Sequence, residues 1–196
     1  MPTILKEIEQ LLLTSKKRGL VNIENDLKKF FDRIWIDKNL ESNIIEVILY
    51  IISELADNIK EHSRADYWQM AFSENKNDLT IFISDNGIGI PRLFANYFPE
   101  DISDDWKKIL KAIEQGVSTK GEGRGFGLRS TKQLVKALSG QIIFISGGFG
   151  FVIEEDKIKK IKTSHKGTIV LIKFPSGVKI EKSRFYSIIE GKDEQS

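Results

Sequence analysis

Near His62 the apolar residues change their period. Before it they recur at helical spacing, as in Ile4, Leu5, Ile8, Leu11 and Leu12, and again in Ile48, Ile52, Leu55 and Ile59. Beyond it come short runs that alternate or stay apolar and are bounded by turn residues, which is the signature of strands. Helical spacing therefore gives way to strands at this point, and helical stretches return between and after the later strands. The spacing predicts helices over residues 3–17, 23–35 and 39–62, with Gly19 closing the first. Strands are expected at 67–73 and 79–84, joined by the polar turn Glu74-Asn75-Lys76-Asn77-Asp78. Further strands are expected at 142–146, 151–155 and 168–174, with helices at 104–115, from Gly127 to about Leu138, and at 181–190.

Composition narrows the chemistry. A chain of 196 residues suits one domain, or one domain with an appendage. It contains no cysteine, which removes disulfide scaffolds, thiol nucleophiles and cysteine zinc sites. His62 and His165 are its two histidines, too few for most histidine metal centres. The net charge is +2, so no general field for nucleic acid is expected. The basic run Lys157, Lys159, Lys160, Lys162 and Lys166 falls between two expected strands and reads first as a solubilising loop. The longest apolar run, 47–52, is far short of the ~20 residues a membrane span needs. The N-terminus, with charges mixed through its apolar residues, is unlike a signal peptide, and a cytoplasmic protein is expected. Trp35, Trp68 and Trp106 are expected to pack in the core or to dock elements.

The third helix has polar residues on the flank of its apolar stripe. Glu54, Asn58 and Glu61 share that flank, while Asp57 and Lys60 point further toward solvent. An ordinary polar border would account for this. A chemical account is also open, because residues at i and i+4 lie one turn apart on the same side. An asparagine carbonyl is a hard oxygen ligand suited to Mg²⁺. A carboxylate one turn away is placed to take a proton from a group attacking a γ-phosphate.

Two glycine turns follow. In Asp85-Asn86-Gly87-Ile88-Gly89-Ile90-Pro91 a strand ends in an acceptor carboxylate, and Gly87 and Gly89 remove side chains where a flat ligand approaches the backbone. A plain Asn-Gly turn is the simpler account. In Gly121-Glu122-Gly123-Arg124-Gly125-Phe126-Gly127-Leu128, alternating glycines lead into a helix. Such a loop frees backbone N–H groups, and the helix start favours anions. It lacks the Gly-Lys-Ser/Thr ending of a Walker loop and the strand that feeds a dinucleotide fingerprint.

Four segments occur in order: Glu54-Leu55-Ala56-Asp57-Asn58, Asp85-Asn86-Gly87-Ile88-Gly89, Gly123-Arg124-Gly125-Phe126-Gly127-Leu128 and Gly167-Thr168. Together they resemble the gyrase, heat-shock chaperone, histidine kinase and mismatch-repair ATPase superfamily (GHKL, Bergerat fold), over about residues 40 to 176. The resemblance implies an α+β fold: a two-layer α/β sandwich, a mixed sheet covered by helices on one face, with ATP between the helices and a lid at 92–122. It makes residues 1–36 an N-terminal helical extension and 37–196 the ATP-binding domain. It implies that Glu54 is the general base and Asn58 the Mg²⁺ ligand. Asp85 would accept the adenine amino group, with Gly87 in the same turn and Gly89 against the base. Gly123, Arg124, Gly125, Phe126, Gly127 and Leu128 would form the phosphate loop, and Thr168 would stand behind the adenine. Lys120 offers a point charge to the γ-phosphate, and a solvated loop lysine explains it equally.

The branch stays open. Glu54, four residues before Asn58, is like the ATPases and the anti-sigma-factor serine kinases, as is His62-Ser63. Gly125-Phe126-Gly127-Leu128 and the ending from Gly167 to Pro175 look like histidine kinases. Residues 1–36 hold no histidine, so a complete autophosphorylating histidine kinase is not expected. Three functions remain: an ATPase or kinase acting on a partner protein, a nucleotide-gated binding module, and a subunit of a remodelling machine that dimerises through residues 1–36.

Overall fold

The computed structural model describes residues 2–36, 40–95, 105–115, 127–154 and 157–192. The chain opens with helix α1 (Pro2–Thr14), a two-residue strand β1 (Arg18–Gly19), a single 3₁₀ turn and helix α2 (Ile23–Ile36). Helix α3 (Ser42–Asn58) then runs directly into a π-helical turn (Ile59–Ser63). Strands β2 (Tyr67–Glu74) and β3 (Asp78–Asp85) form a hairpin, followed by helices α4 (Gly89–Ala95), α5 (Asp105–Gln115) and α6 (Gly127–Ala137). Strands β4 (Gln141–Ser146), β5 (Phe149–Glu154), β6 (Lys157–Lys162) and β7 (Thr168–Pro175) and helix α7 (Lys182–Ile189) complete the fold.

The seven strands make one sheet in the order β1-β2-β3-β7-β4-β5-β6. Among the described residues every pairing is antiparallel, so the mixed sheet expected from the sequence is not seen there. The reason is one insertion. Strands β3 and β4 run in the same direction, as a helical crossover gives, but β7 lies between them and opposes both.

Side-chain alternation explains how the sheet is covered. The row Phe72, Ile81, Ile172, Ile142, Ile153 crosses from β2 to β5 and packs beneath α2, α3, α5, α6 and α7. This is the helical layer that was expected. The next row, Ala71, Phe82, Leu171, Ile143, Val152, faces the other way and meets Ile4, Leu5, Ile8, Leu11 and Leu12 of α1. The expectation of one covered face therefore needs correction, since α1 lies on the back of the sheet. Buried on both faces, β3 reads in sequence as the nearly continuous apolar run Leu79–Ile83 broken only by Thr80.

Two polar side chains of the sheet hold α1 in place. The Gln69 amide, almost fully buried on β2, donates to the carbonyls of Leu12 (2.9 Å) and Ser15 (2.8 Å) at the end of α1. Lys173 of β7 pairs with Glu7 at 2.6 Å. The other core helix, α3, buries Ile44, Ile45, Val47, Ile48, Ile51, Ile52, Leu55 and Ala56. Its β-branched residues are mediocre helix formers, at a cost of roughly 0.5 kcal/mol each. Burial of each contributes about 1.5–3 kcal/mol, so packing outweighs propensity.

Other expectations fare unevenly. The basic run does not form a loop: residues 157–162 pair with β5 as the edge strand β6, leaving Lys157, Lys159, Lys160 and Lys162 exposed. Trp68 is completely buried and Trp106 partly so, whereas Trp35 is 60% exposed at the end of α2 and packs in no core. Helix α5, inside the expected lid, sinks Ile109 and Ile113 into the main core and buries Ala112 as well. Among the described residues no helix is long and apolar enough to cross a membrane.

Candidate functional site

One end of the sheet gathers the ends of α3, β3 and β4, the beginning of β7 and the first turn of α6. Asp85 closes β3 and is 3% exposed. Its Oδ1 accepts the Gly87 N–H at 2.7 Å, and the Thr168 backbone and hydroxyl also bond to the carboxylate. Burial pushes this carboxyl above its ordinary range, against the opposing pull of the Gly87 and Thr168 bonds. The Thr168 hydroxyl lies 3.1 Å from Ser146 Oγ, which accepts the Ile90 N–H at 2.8 Å. A hydrogen-bonded chain thus links the glycine turn through β4 and β7 to the carboxylate. The Asp85 backbone carbonyl is held separately by His165 Nε2 at 3.1 Å.

The glycine turn is fitted against the protein's own backbone. A Cβ at Gly87 would collide with the Ser63 carbonyl, the same oxygen that accepts the Ile88 N–H at 2.8 Å. Gly89 sits at φ +74°, and a Cβ there would lie 2.6 Å from the Lys166 carbonyl. These glycines therefore let the turn dock between the π-helical turn and the 163–167 loop. Ser63 is itself fixed, donating from Oγ to the Ile59 carbonyl at 2.6 Å and accepting the Ala65 N–H at 3.0 Å.

Glu54 and Asn58 stand one turn apart near the end of α3, both half-buried. Burial raises the Glu54 carboxyl above its usual range, and the charges of Asp57 and Glu61 add to this while a Tyr50 hydrogen bond opposes it. Tyr50 bonds both Glu54 and Ser130, so the carboxylate is oriented from α3 and α6 together. Gly127, the first residue of α6, is pressed against it: a Cβ there would collide with Glu54 Oε2. Leu128 packs on the main core and sets the helix start. The Asn58 side chain does not cap the π turn that follows it. Among the described residues no cluster of three His, Cys, Asp or Glu side chains forms a metal cage. An amide oxygen with a carboxylate one turn away suits a Mg²⁺ whose other ligands are phosphates and waters.

The fold thus assembles Glu54, Asn58, Asp85, Gly87, Gly89, Gly127, Leu128 and Thr168 around one end of the sheet. Lys120, Gly123, Arg124, Gly125 and Phe126 lie outside the described residues. Five contributors escaped the sequence reading: Tyr50, Ser63, Ser130, Ser146 and His165. Ser63 had a signal only as the residue after His62, and Ser146 only as the one before the Gly147-Gly148 turn.

The family model described as histidine kinase-, DNA gyrase B- and HSP90-like ATPase matches residues 44–178, spanning α3 to β7 and the stretch just beyond. The chain belongs to this family. As a histidine kinase-like ATPase domain it binds ATP, and the sheet end described above is where its α3, glycine-turn and β7 residues meet. Among solved structures it is similar to the mycobacterial sensor histidine kinase MprB, at 15% identity over 83% of this chain and 97% of that one, with a TM-score of 0.42. A search of curated proteins finds no match.

Proposed function

We propose that this histidine kinase-like ATPase domain uses Mg-ATP to transfer the γ-phosphoryl group, to a hydroxyl of a partner protein or to water, and so regulates that partner. Asp85 receives the adenine amino group, with Thr168 behind the base holding the carboxylate in position. Asn58 supplies an oxygen to the Mg²⁺ that accompanies the phosphates, and when bound this ion neutralises charge on them. The 123–128 loop and the start of α6 receive the phosphates through backbone N–H groups. Lys120 and Arg124 add positive charge beside them. Glu54 takes the proton from the attacking oxygen.

The observation that carries this reading is the setting of Glu54. It is a half-buried carboxylate, one turn before Asn58, oriented by Tyr50 and abutting the first residue of α6. A carboxyl shifted upward and held by neighbours suits proton transfer near neutral pH better than a solvated one.

The test uses purified protein, Mg²⁺ and γ-labelled ATP, with and without the products of neighbouring genes. Label should pass to a partner Ser or Thr, or to free phosphate. Glu54→Gln should retain ATP binding and lose about 10²- to 10⁴-fold in rate, the usual span for a general base. Absence of turnover in the wild type, with ATP still bound, would replace this reading with a nucleotide-gated binding module.

A further inference from the structure

The β3–β7 ladder is regular as far as the rung joining Ser84 and Ile169. The next rung would join Asp85 to Thr168, and there the pattern breaks. The Thr168 backbone turns to the Asp85 carboxylate. The Asp85 carbonyl is taken instead by the imidazole of His165, three residues upstream of Thr168, at 3.1 Å. A carbonyl only accepts, so Nε2 carries the proton. Gly167 makes room for this exchange, because a Cβ there would run into the Asp85 carbonyl.

His165 is well placed to hold that carbonyl still. Its N–H donates to Thr163 Oγ1 at 3.0 Å, and its carbonyl accepts the Gly148 N–H at 2.8 Å. The 163–167 loop is thereby pinned to the β4–β5 turn, and the ring projects from a fixed backbone. Burial lowers the imidazole pKa, with the Asp85 and Thr168 backbones pulling the other way, so the ring is neutral at neutral pH and has one proton to give. Asp85 is the acidic side chain on this rung, and Lys166 is the neighbouring charge on the loop.

We infer that His165 is a positioning residue for base recognition, which fixes the Asp85 peptide through its carbonyl and so aims the Asp85 carboxylate at the purine 6-amino group. This rests on the proposed placement of Asp85 at the adenine. The carboxylate is joined to the clamped peptide through three rotatable bonds, Cα–C, Cα–Cβ and Cβ–Cγ. One of its oxygens is committed to Gly87. A rotated peptide would move both the Gly87 amide and the carboxylate it holds. The ring therefore acts on selectivity between bases and leaves the phosphate end of the site alone.

The experiment compares affinities for ATP and for the purine riboside triphosphate that lacks the 6-amino group, in wild type, His165→Leu, His165→Gln and Asp85→Asn. Wild type should prefer ATP. His165→Leu, which keeps bulk and loses the donor, should lose about tenfold of that preference, the worth of one good hydrogen bond. His165→Gln places an amide N–H near the Nε2 position and should restore most of it. An unchanged preference in His165→Leu, or a loss in His165→Gln as large as in His165→Leu, overturns the inference. If Asp85→Asn also leaves the preference untouched, or wild type shows none, the placement of Asp85 at the base fails with it. Should His165→Leu not fold, imidazole ¹⁵N shifts of the wild type decide: a protonated Nε2 that moves with ATP and not with the analogue supports the role, and an unprotonated Nε2 overturns it.

Discussion

Glu54 is held between two demands. The proton transfer we propose for it asks for a carboxylate, while its half-buried setting beside Asp57 and Glu61 favours the protonated form. A carboxyl whose pKa is higher in the folded state than in the unfolded chain binds its proton more tightly when folded. Its contribution to stability is therefore fully present below the unfolded pKa and is lost as pH rises through the folded one. Glu54→Gln removes this loss. The variant should match the wild type in stability at low pH and exceed it near neutrality, as read from urea midpoints across pH. The gain should stay below about 1 kcal/mol, because solvent reaches the group and screens its charge. Turnover should show the opposite limb, falling in the wild type as acid protonates Glu54. Asp85 is pushed in the same direction by burial, yet its bonds from Gly87 and Thr168 oppose the shift. The motifs were legible because each is a short run of sequence. Tyr50, which steers Glu54 through a hydrogen bond, was not: on a wheel it is one more ring beside an apolar stripe.

Among the elements, α1 shows how a polar side chain can settle a helix. The last carbonyls of a helix need partners, and burial makes that need sharper. Gln69 supplies two donor contacts from the sheet. Gln69→Leu would leave the carbonyls of Leu12 and Ser15 under an apolar side chain. A loss of about 1–3 kcal/mol is expected, the usual penalty for buried groups left unsatisfied, measurable as a lowered urea midpoint. Amide exchange should accelerate in α1 before α3, since α1 is attached through one face only. The helix itself was readable from its period, but its place was not. Nothing in Ile4, Leu5, Ile8, Leu11 and Leu12 says which side of a later sheet they will meet. Strand β6 was illegible for the converse reason. Its residues are nearly all exposed, with only Ile161 buried, so there is no alternation to read. The π turn at 59–63 likewise had no marker, although it delivers the Ser63 carbonyl to Ile88.

At the scale of the whole molecule, the four spaced motifs led to the family and, through that resemblance, to the α+β fold class. The strand order was beyond reach, because it depends on β7 returning from the far side of the sheet to enter between β3 and β4. The same return brings His165 to Asp85 across eighty positions of chain. It leaves two unlike borders. At one, β1 is only Arg18–Gly19. At the other, β6 offers a full row of backbone groups fenced by lysines. Replacing Lys157, Lys159 and Lys162 by threonine should keep the fold and promote self-association at high concentration, visible in light scattering, because exposed edge lysines discourage strand pairing. The sheet is thus brought to a stop at one border by brevity and at the other by mutual repulsion. Two copies meeting edge to edge would bring like charges together along their whole length. For a second copy of this chain, the lysine-lined border is therefore the less favourable place to add a strand.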